Sequence, residues 1–473
     1  MTSNNQQHSE LSNEARLRPQ DLRTEVVGLD IGTTKVVAIV GRKNQYGKVE
    51  VLGYGKAVNK GVMTGEVVNL KDTERAIREA IKKAEYNSKI KIKKVVVGIA
   101  GQHIRSIQTR EYLTRENPEE IITQKDIDQL IRQVKKIHVE NGENIIHALP
   151  QEFKVDELGN IKTLPIGMAG TRLEANFHVV VGKVVAIQNL IRCVKMADLE
   201  VEDITLEPLA SSNSVLLDDE KEGGIALIDM GGGTTDLAIF KNNIIRHTAI
   251  IPAGGNVITN DLATGIRVLQ RDAELIKTEF GSAYPGANSD NEIVSIEGLP
   301  GRKPVEVSLK TISRIIKARV EEIINIVDRE IRQYTDISNE NILLGGIVLT
   351  GGGANLKHIT QLVNLLTGMH TRVGYPNQHL AGGTEEELQS PIFATAIGLL
   401  MEGLQNKINY EEAEYMDEQQ IPVSSNYGEP QTAHSKVEEV KETLTEVEEP
   451  PVQKKRKKNS WYDAIMEFLR NFE

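Results

Sequence analysis

Asp30-Ile31-Gly32-Thr33-Thr34-Lys35 lies between two apolar runs, VVGLDI and KVVAIVG. A turn joining two strands presents several backbone N–H groups on one side. Gly32 lets a ligand approach that backbone, and the hydroxyls of Thr33 and Thr34 add donors. Such a nest suits phosphate oxygens. Asp30 cannot face a phosphate directly, because like charges repel, but it can hold the water shell of Mg2+, an ion that keeps several waters when bound. Taken alone, the turn reads better as an ordinary hairpin. The same plan returns 199 residues later as Asp229-Met230-Gly231-Gly232-Gly233-Thr234-Thr235-Asp236. Three glycines weaken a strand unless something must come close to its backbone. Two matching turns, one in each half of a duplicated domain, can clamp a triphosphate from opposite sides.

Three further stretches fit the same ligand. Thr350-Gly351-Gly352-Gly353-Ala354 follows the strand-like GIVL, and a glycine turn at the carboxyl edge of a sheet suits a base and sugar. No G-x-G-x-x-G opens a helix after a first strand, so a dinucleotide fold is not indicated. Ala253-Gly254-Gly255-Asn256 could border a terminal phosphate. Glu274 and Lys277 stand at i and i+3 of a helical stretch and share a face. Without the other motifs, they read as a surface ion pair.

The elements needed to position these residues are α/β in pattern. VVGLDI, KVVAIVG and VEVLGYGKAV read as a meander, and residues 71–87 as a helix with Ala76, Ile77, Ala80, Ile81 and Ala84 at helical spacing. KKVVVGIAG reads as a buried strand. Residues 104–182 read as an inserted small α/β subdomain with a helix around 123–138. A helix is expected at 185–197, then strand and turn in LEVEDITLEP. The second half brings a helical segment at 257–280, a Gly/Pro loop at 281–304 and a long helix at 309–334. A last core helix is expected at 391–404. The domain reading is a polar tail at 1–23, a first lobe at 24–103 and 183–220 with a final helix in 375–404, and a second lobe at 221–262 and 319–374. Residues 263–318 would be a subdomain of that second lobe.

Composition narrows the class. The 473 residues are 39% apolar with aromatics at 4%, too few for a base-stacking nucleic-acid platform. The net charge of −11 argues against phosphate-backbone binding. Residues 411–450 hold twelve Asp/Glu against two Lys, so residues 405–453 read as an acidic disordered linker and the rest as nearly neutral. Cys193 is the single cysteine, which fits a reducing compartment. The polar N-terminus gives no sign of a secretory leader, and no apolar run reaches the roughly 20 residues of a membrane span. The last residues differ. At about 100° per residue, Trp461, Ile465, Phe468, Leu469 and Phe472 share one face, directly after Lys454, Lys455, Arg456, Lys457 and Lys458. An apolar face beside a cationic cluster is the composition of a helix lying on a membrane surface, where each basic residue contributes about 1 kcal/mol. A terminal helix docked on its own core is the plainer alternative.

GLDIGTTK, LEPLASS, IDMGGGTTD, PAGGN, AELIKTEFG and LTGGGANL, in this order, resemble the actin/Hsp70/sugar-kinase superfamily. The stretches GIAGQHIRS, HALPQEFKVDELGNIKTLPIGMAGTRLEANFHVVVG and RHTAIIPAGGNVITNDLA resemble the FtsA family of bacterial cell-division proteins within it. The resemblance implies an actin-like two-lobed fold with duplicated five-stranded RNase H-like cores, an inserted subdomain and a C-terminal amphipathic helix on a linker. It implies ATP and Mg2+ as cofactors. Asp30 and Asp229 would hold Mg2+ through water. Gly32, Thr33, Thr34, Lys35, Gly231, Gly232, Gly233, Thr234 and Thr235 would take the phosphates, with Gly254 and Gly255 near the last of them. Glu274 and Lys277 would bracket the ribose or base, and Gly351, Gly352 and Gly353 would contact adenosine. Glu207 would orient an attacking water, in at most a weak ATPase whose nucleotide acts mainly as an assembly switch.

Implied partners are the FtsZ C-terminal peptide, further copies of the chain in protofilaments, lipids on the cytoplasmic face of the membrane at the division septum, and later division proteins through the inserted subdomain. Nucleic acid is not among them. A basic surface within 281–325 (Arg302, Lys303, Lys310, Arg314, Lys317) is the expected seat of the FtsZ peptide. A small-molecule kinase on the same fold and an MreB-like shape filament stand as alternatives.

Overall fold

The computed structural model describes residues 25–289, 291–296, 303–338 and 343–418. Two five-stranded sheets of one topology carry the fold. In the first, Val26–Ile31, Lys35–Lys43 and Val49–Val58 form an antiparallel meander; Lys94–Ile99 runs parallel beside Val26–Ile31, and Glu200–Leu206 parallel beside that. The second repeats the plan. Ile225–Met230, Thr235–Lys241 and Ile244–Ile251 form its meander, with Gly346–Thr350 and Thr371–Val373 on the parallel side. The central strands Val26–Ile31, Ile225–Met230 and Gly346–Thr350 are buried along their whole length, as continuous apolar runs must be when both sheet faces are covered.

Helices supply the cover. Ala396, Ile397, Leu399, Leu400 and Leu404 of helix Ala394–Glu418 form one core with Val26, Val37, Ile39 and Val96. In the second lobe, Ile312, Ile316, Val320, Ile323 and Val327 make the apolar stripe of helix Leu309–Ser338, packed with Ile228, Leu237, Ile239 and Ile347. Each such side chain contributes about 1.5–3 kcal/mol by leaving water. Among the described residues no helix is long and apolar enough to cross a membrane. Cys193, on helix Val184–Met196, is fully buried, and burial pushes its thiol up to about 11.

Between Lys94–Ile99 and helix Val184–Met196 the chain makes a separate four-stranded antiparallel sheet from Ile104–Thr114, Arg172–Lys183, Glu143–Val155 and Leu158–Ile161, in that spatial order. Helix Gln124–Val134 closes one face, with Ile127, Leu130 and Val134 in a core with Phe153 and Phe177. Thr123 and Asp126 form a capping box at its start, which satisfies two N–H groups the helix cannot. The subdomain is rooted in the first lobe but bonds to the edge strand of the second. Gln151 Nε2 donates to the Ile245 carbonyl at 2.6 Å, and Ser106 Oγ to the Thr248 carbonyl at 3.2 Å. His178 bridges Gln108 Nε2 and Thr248 Oγ1 at 3.1 and 3.0 Å. Burial pushes the His178 ring down to about 4, so it is neutral and can accept from Gln108 while donating to Thr248. These bonds occupy carbonyls of a sheet edge that would otherwise be open to pairing.

The structure departs from the sequence reading at five places. The helix expected at 123–138 ends at Val134. The segment 257–280 is two helices, Gly255–Ile266 and Gln270–Phe280, separated at Arg267, whose φ of 57° ends the first. Glu207 opens a helix, Glu207–Val215, with Pro208 in its first turn, where proline is tolerated because those N–H groups have no helical partner. The Gly/Pro loop contains the strand Ile293–Ile296, paired with Val305–Ser308. The last helix starts at Ala394 and runs to Glu418, so residues 405–418 are helix rather than linker. Their Gln, Lys, Glu and Ala are good helix formers, and their acidity hid this. Residues 1–23, Arg302 and the basic and apolar residues of 454–473 lie outside the described residues.

Candidate functional site

The two sheets turn the same end of their first hairpins towards each other, and a cavity of about 790 Å3 lies between them. Each turn closes with the same bond: Gly32 N to Lys35 O at 3.0 Å, and Gly231 N to Thr234 O at 2.9 Å. The turns abut. A Cβ on Gly232 would strike Thr34, and one on Gly233 would strike Thr33. Glycine here is what lets the two lobes meet.

Asp30, Gly32, Thr33, Thr34, Lys35, Glu207, Asp229, Gly231, Gly232, Gly233, Thr234, Gly255, Glu274, Lys277, Gly351, Gly352 and Gly353 all line this cavity. Two expected residues stand behind the wall. Thr235 is fully buried and donates to the Ala253 carbonyl at 2.7 Å. Gly254 packs under the second turn, where a Cβ would sit 2.6 Å from the Gly231 carbonyl. The N–H groups of Gly255 and Asn256 bond the carbonyls of Gly231 and Gly232 at 2.9 and 2.8 Å, so helix Gly255–Ile266 grows directly out of that turn. Lys277 Nζ reaches Gly255 O, Thr259 Oγ1 and Glu274 Oε2 at 2.9, 2.8 and 2.7 Å. Its three donors are thereby spent on holding the helix start, while Glu274 takes all its described bonds on Oε2.

The electrostatics are lopsided. Six carboxyls (Asp30, Glu79, Glu207, Asp229, Asp236 and Glu274) and four lysines (Lys35, Lys56, Lys83 and Lys277) line the cavity, and the Lys35 ammonium lies 3.5 Å from Asp30 Oδ2. Burial, then Asp30, Asp236 and Asp229, hold the Glu207 carboxyl well above its usual range. Burial and then Asp229 do the same to Asp236, whose Oδ1 has no hydrogen-bond partner. Asp229 is raised by burial and held back by the Ser211 hydroxyl and Lys35. Carboxyls buried close together raise one another in this way. Asp236, Gly98 and Thr395, which also line the cavity, and Ser211, fully buried, are not assigned roles by the sequence. Gly98 makes room for Glu207, since a Cβ there would meet Glu207 Cγ at 2.9 Å.

Two copies of one five-stranded sheet, meeting through matched glycine turns over one cavity, define an actin-like two-lobed α/β protein. The solved PilM–PilN type IV pilus biogenesis complex shares this fold, at a TM-score of 0.59 and 17% identity over 81% of this chain and 99% of that one. The chain belongs to the FtsA family of cell division proteins. It is 37% identical over 382 residues to the cell division protein FtsA of Pseudomonas aeruginosa, covering 81% of this chain and 90% of that protein. With FtsA of Neisseria meningitidis serogroup B it shares 38% over 372 residues, 79% of this chain and 88% of that one. Residues 226–398 match the family model "Cell division protein FtsA", and residues 101–181 match "SHS2 domain inserted in FTSA". The kinase and shape-filament alternatives give way to that family.

Proposed function

We propose that the chain is an ATP-binding, actin-like scaffold of cell division that polymerises and tethers FtsZ to the inner face of the cytoplasmic membrane at the septum. The observation that carries this reading is one cavity lined by both glycine turns and by Asp30, Glu207, Asp229 and Asp236. Gly32, Thr33, Thr34 and Gly231 to Thr234 would cradle the phosphates, with Lys35 beside them. Asp30 and Asp229 would hold Mg2+ through its waters. Among the described residues no three His, Cys, Asp or Glu are grouped closely enough to hold an ion directly, which suits an ion that keeps its hydration shell. The adenosine would lie along Gly351 to Gly353, with Glu274 at its edge. When bound, Mg2+ would supply positive charge to offset that of the phosphates. Glu207, buried and raised, would serve a slow hydrolysis at most.

Nucleotide occupancy would set the lobe angle and so favour head-to-tail assembly, a contact that does not close on itself. Lys303 and Arg314 are exposed on the second lobe, and Lys317 pairs with Glu321 at 3.1 Å. With Lys310 they offer a basic face for the acidic tail of a division polymer, and the inserted subdomain offers a second surface for later division proteins. The basic residues at 454–458 and the apolar face from Trp461 to Phe472 would hold the membrane. Co-flotation with anionic vesicles and ATP, comparing the full chain with one ending at Pro451, tests the tether. The full chain is expected to float and the shortened chain to stay in solution; flotation of neither would overturn it.

A further inference from the structure

Asp229 ends a strand of the second sheet, and its carboxylate is gripped by two helices that pack against both sheets. Ser211 Oγ donates to Oδ2 at 2.6 Å, Thr395 Oγ1 lies 3.2 Å from the same oxygen, and the two hydroxyls are 3.1 Å apart. A hydroxyl donating to a carboxylate at that shorter distance is a strong, charge-assisted bond. Both bonds fall on Oδ2. The other oxygen, Oδ1, lies beside Gly351, where a Cβ would strike it. That glycine has φ +78°, so the approach is built into the backbone.

The grip is rigid. Ser211 sits on helix Glu207–Val215 and Thr395 on helix Ala394–Glu418. The two helices are locked together at this point: Ser214 Oγ donates to the Ala394 carbonyl at 2.7 Å, and a Cβ on Gly398 would collide with the Ala210 carbonyl. The neighbouring serines show what a merely buried hydroxyl does here. Ser212 donates to the Leu209 carbonyl at 2.7 Å and Ser214 to carbonyls only, the usual local solution for serine on a helix. Ser211, fully buried like them, instead donates to a side chain on a strand of the second sheet.

We propose that Ser211 and Thr395 are positioning residues. They fix the Asp229 carboxylate through Oδ2 and leave Oδ1 to face the water shell of the bound cation. This rests on the nucleotide–magnesium reading above. Groups that orient a metal-binding carboxylate typically carry 10- to 100-fold in metal affinity.

The test is retention of a fluorescent adenine nucleotide by the full chain as magnesium is titrated, with a parallel titration in EDTA and a thermal melt of the nucleotide-free chain. Ser211→Ala is expected to raise the magnesium midpoint about tenfold while leaving affinity in EDTA unchanged. Thr395→Val should raise it less, and Thr395→Ser should restore it. If Ser211→Ala lowers the yield of folded chain, Thr395→Val against Thr395→Ser carries the comparison. Equal loss of affinity with and without magnesium, or a change confined to the melt, would leave these hydroxyls as packing alone and overturn the proposal. A parent chain that retains no nucleotide at any magnesium concentration would remove the nucleotide reading and this inference together.

Discussion

The two turns that meet across the cleft are copies with different charge balance. In their hairpin registers Asp30 lies opposite Val37, and Asp229 opposite Asp236. Val36, opposite Ile31, corresponds to Thr235, opposite Met230, so Lys35 of the first copy corresponds to Thr234 of the second. The first turn therefore brings one carboxylate and one ammonium, 3.5 Å apart. The second brings two buried carboxyls and no cation, and one of them is steadied by hydroxyls from the two helices between the sheets. Duplication has kept the backbone geometry twice and the unneutralised charge once. The unpaired carboxyls lie on the second-lobe side, while the first lobe brings its own ammonium.

Exchanging residues between the copies is the sharpest way to break that comparison. Val37→Asp writes the second turn into the first. Val37 is fully buried and Lys35 is already engaged by Asp30, so the new carboxylate would be unpaired at a cost on the order of 3–5 kcal/mol. Loss of soluble folded chain is expected; a melting temperature like the parent's would mean the two sites are interchangeable after all.

Asp236→Val makes the reverse exchange and removes a buried carboxyl with an orphan oxygen. It should stabilise the nucleotide-free chain by about 1–3 kcal/mol at neutral pH. The sign follows from the raised carboxyl. Its stability is intact below the unfolded value of 3.8 and lost as pH rises through the folded value. The variant's advantage should thus fade in melts taken towards pH 4, and an advantage constant with pH would trace it to packing instead.

Lys35→Thr gives the first turn the residue of the second. Nucleotide retention should fall roughly tenfold, the contribution of a bond to a charged group, and the melt should fall as well, because the buried Asp30 loses its ammonium. A large loss of stability with retention unchanged would make Lys35 a structural partner of Asp30 only. The smallest effect belongs to Glu207→Gln, which replaces a raised carboxyl shared by both turns. In EDTA it should lift the melting temperature by roughly 2–4 °C at neutral pH. By the same sign the gain should vanish near 4.5, the unfolded value. A gain that grows on acidification would put the charge on the wrong side of the balance.

Much of this was legible in the residues because both turns repeat a local plan. Asp-x-Gly between apolar runs dictates strand, turn and strand without help from distant contacts, so the meanders and their glycines were readable. Asp236 was quoted within its motif and given no role, since nothing local distinguishes a Thr-Thr-Asp that faces a cavity from one that faces solvent. Thr235 and Gly254 went the other way: only the packing of Ala253 against the turn shows that they back the site rather than line it. Ser211 and Thr395 lie 184 residues apart, and no periodicity brings them to Asp229. The helix beyond residue 404 was lost to its own charge, because acidity was taken as a sign of linker where helix propensity pointed otherwise.

Cys193 adds a practical consequence. Reaction with maleimides or disulfide probes requires an accessible thiolate, and this thiol is fully buried and holds its proton to about 11. The native chain is therefore chemically silent towards such reagents while folded, and it contains no second cysteine. A cysteine placed on each lobe would be the only pair to take a donor and acceptor dye, so the opening and closing of the cleft can be read as a distance in single molecules without first stripping the protein of its own sulfur.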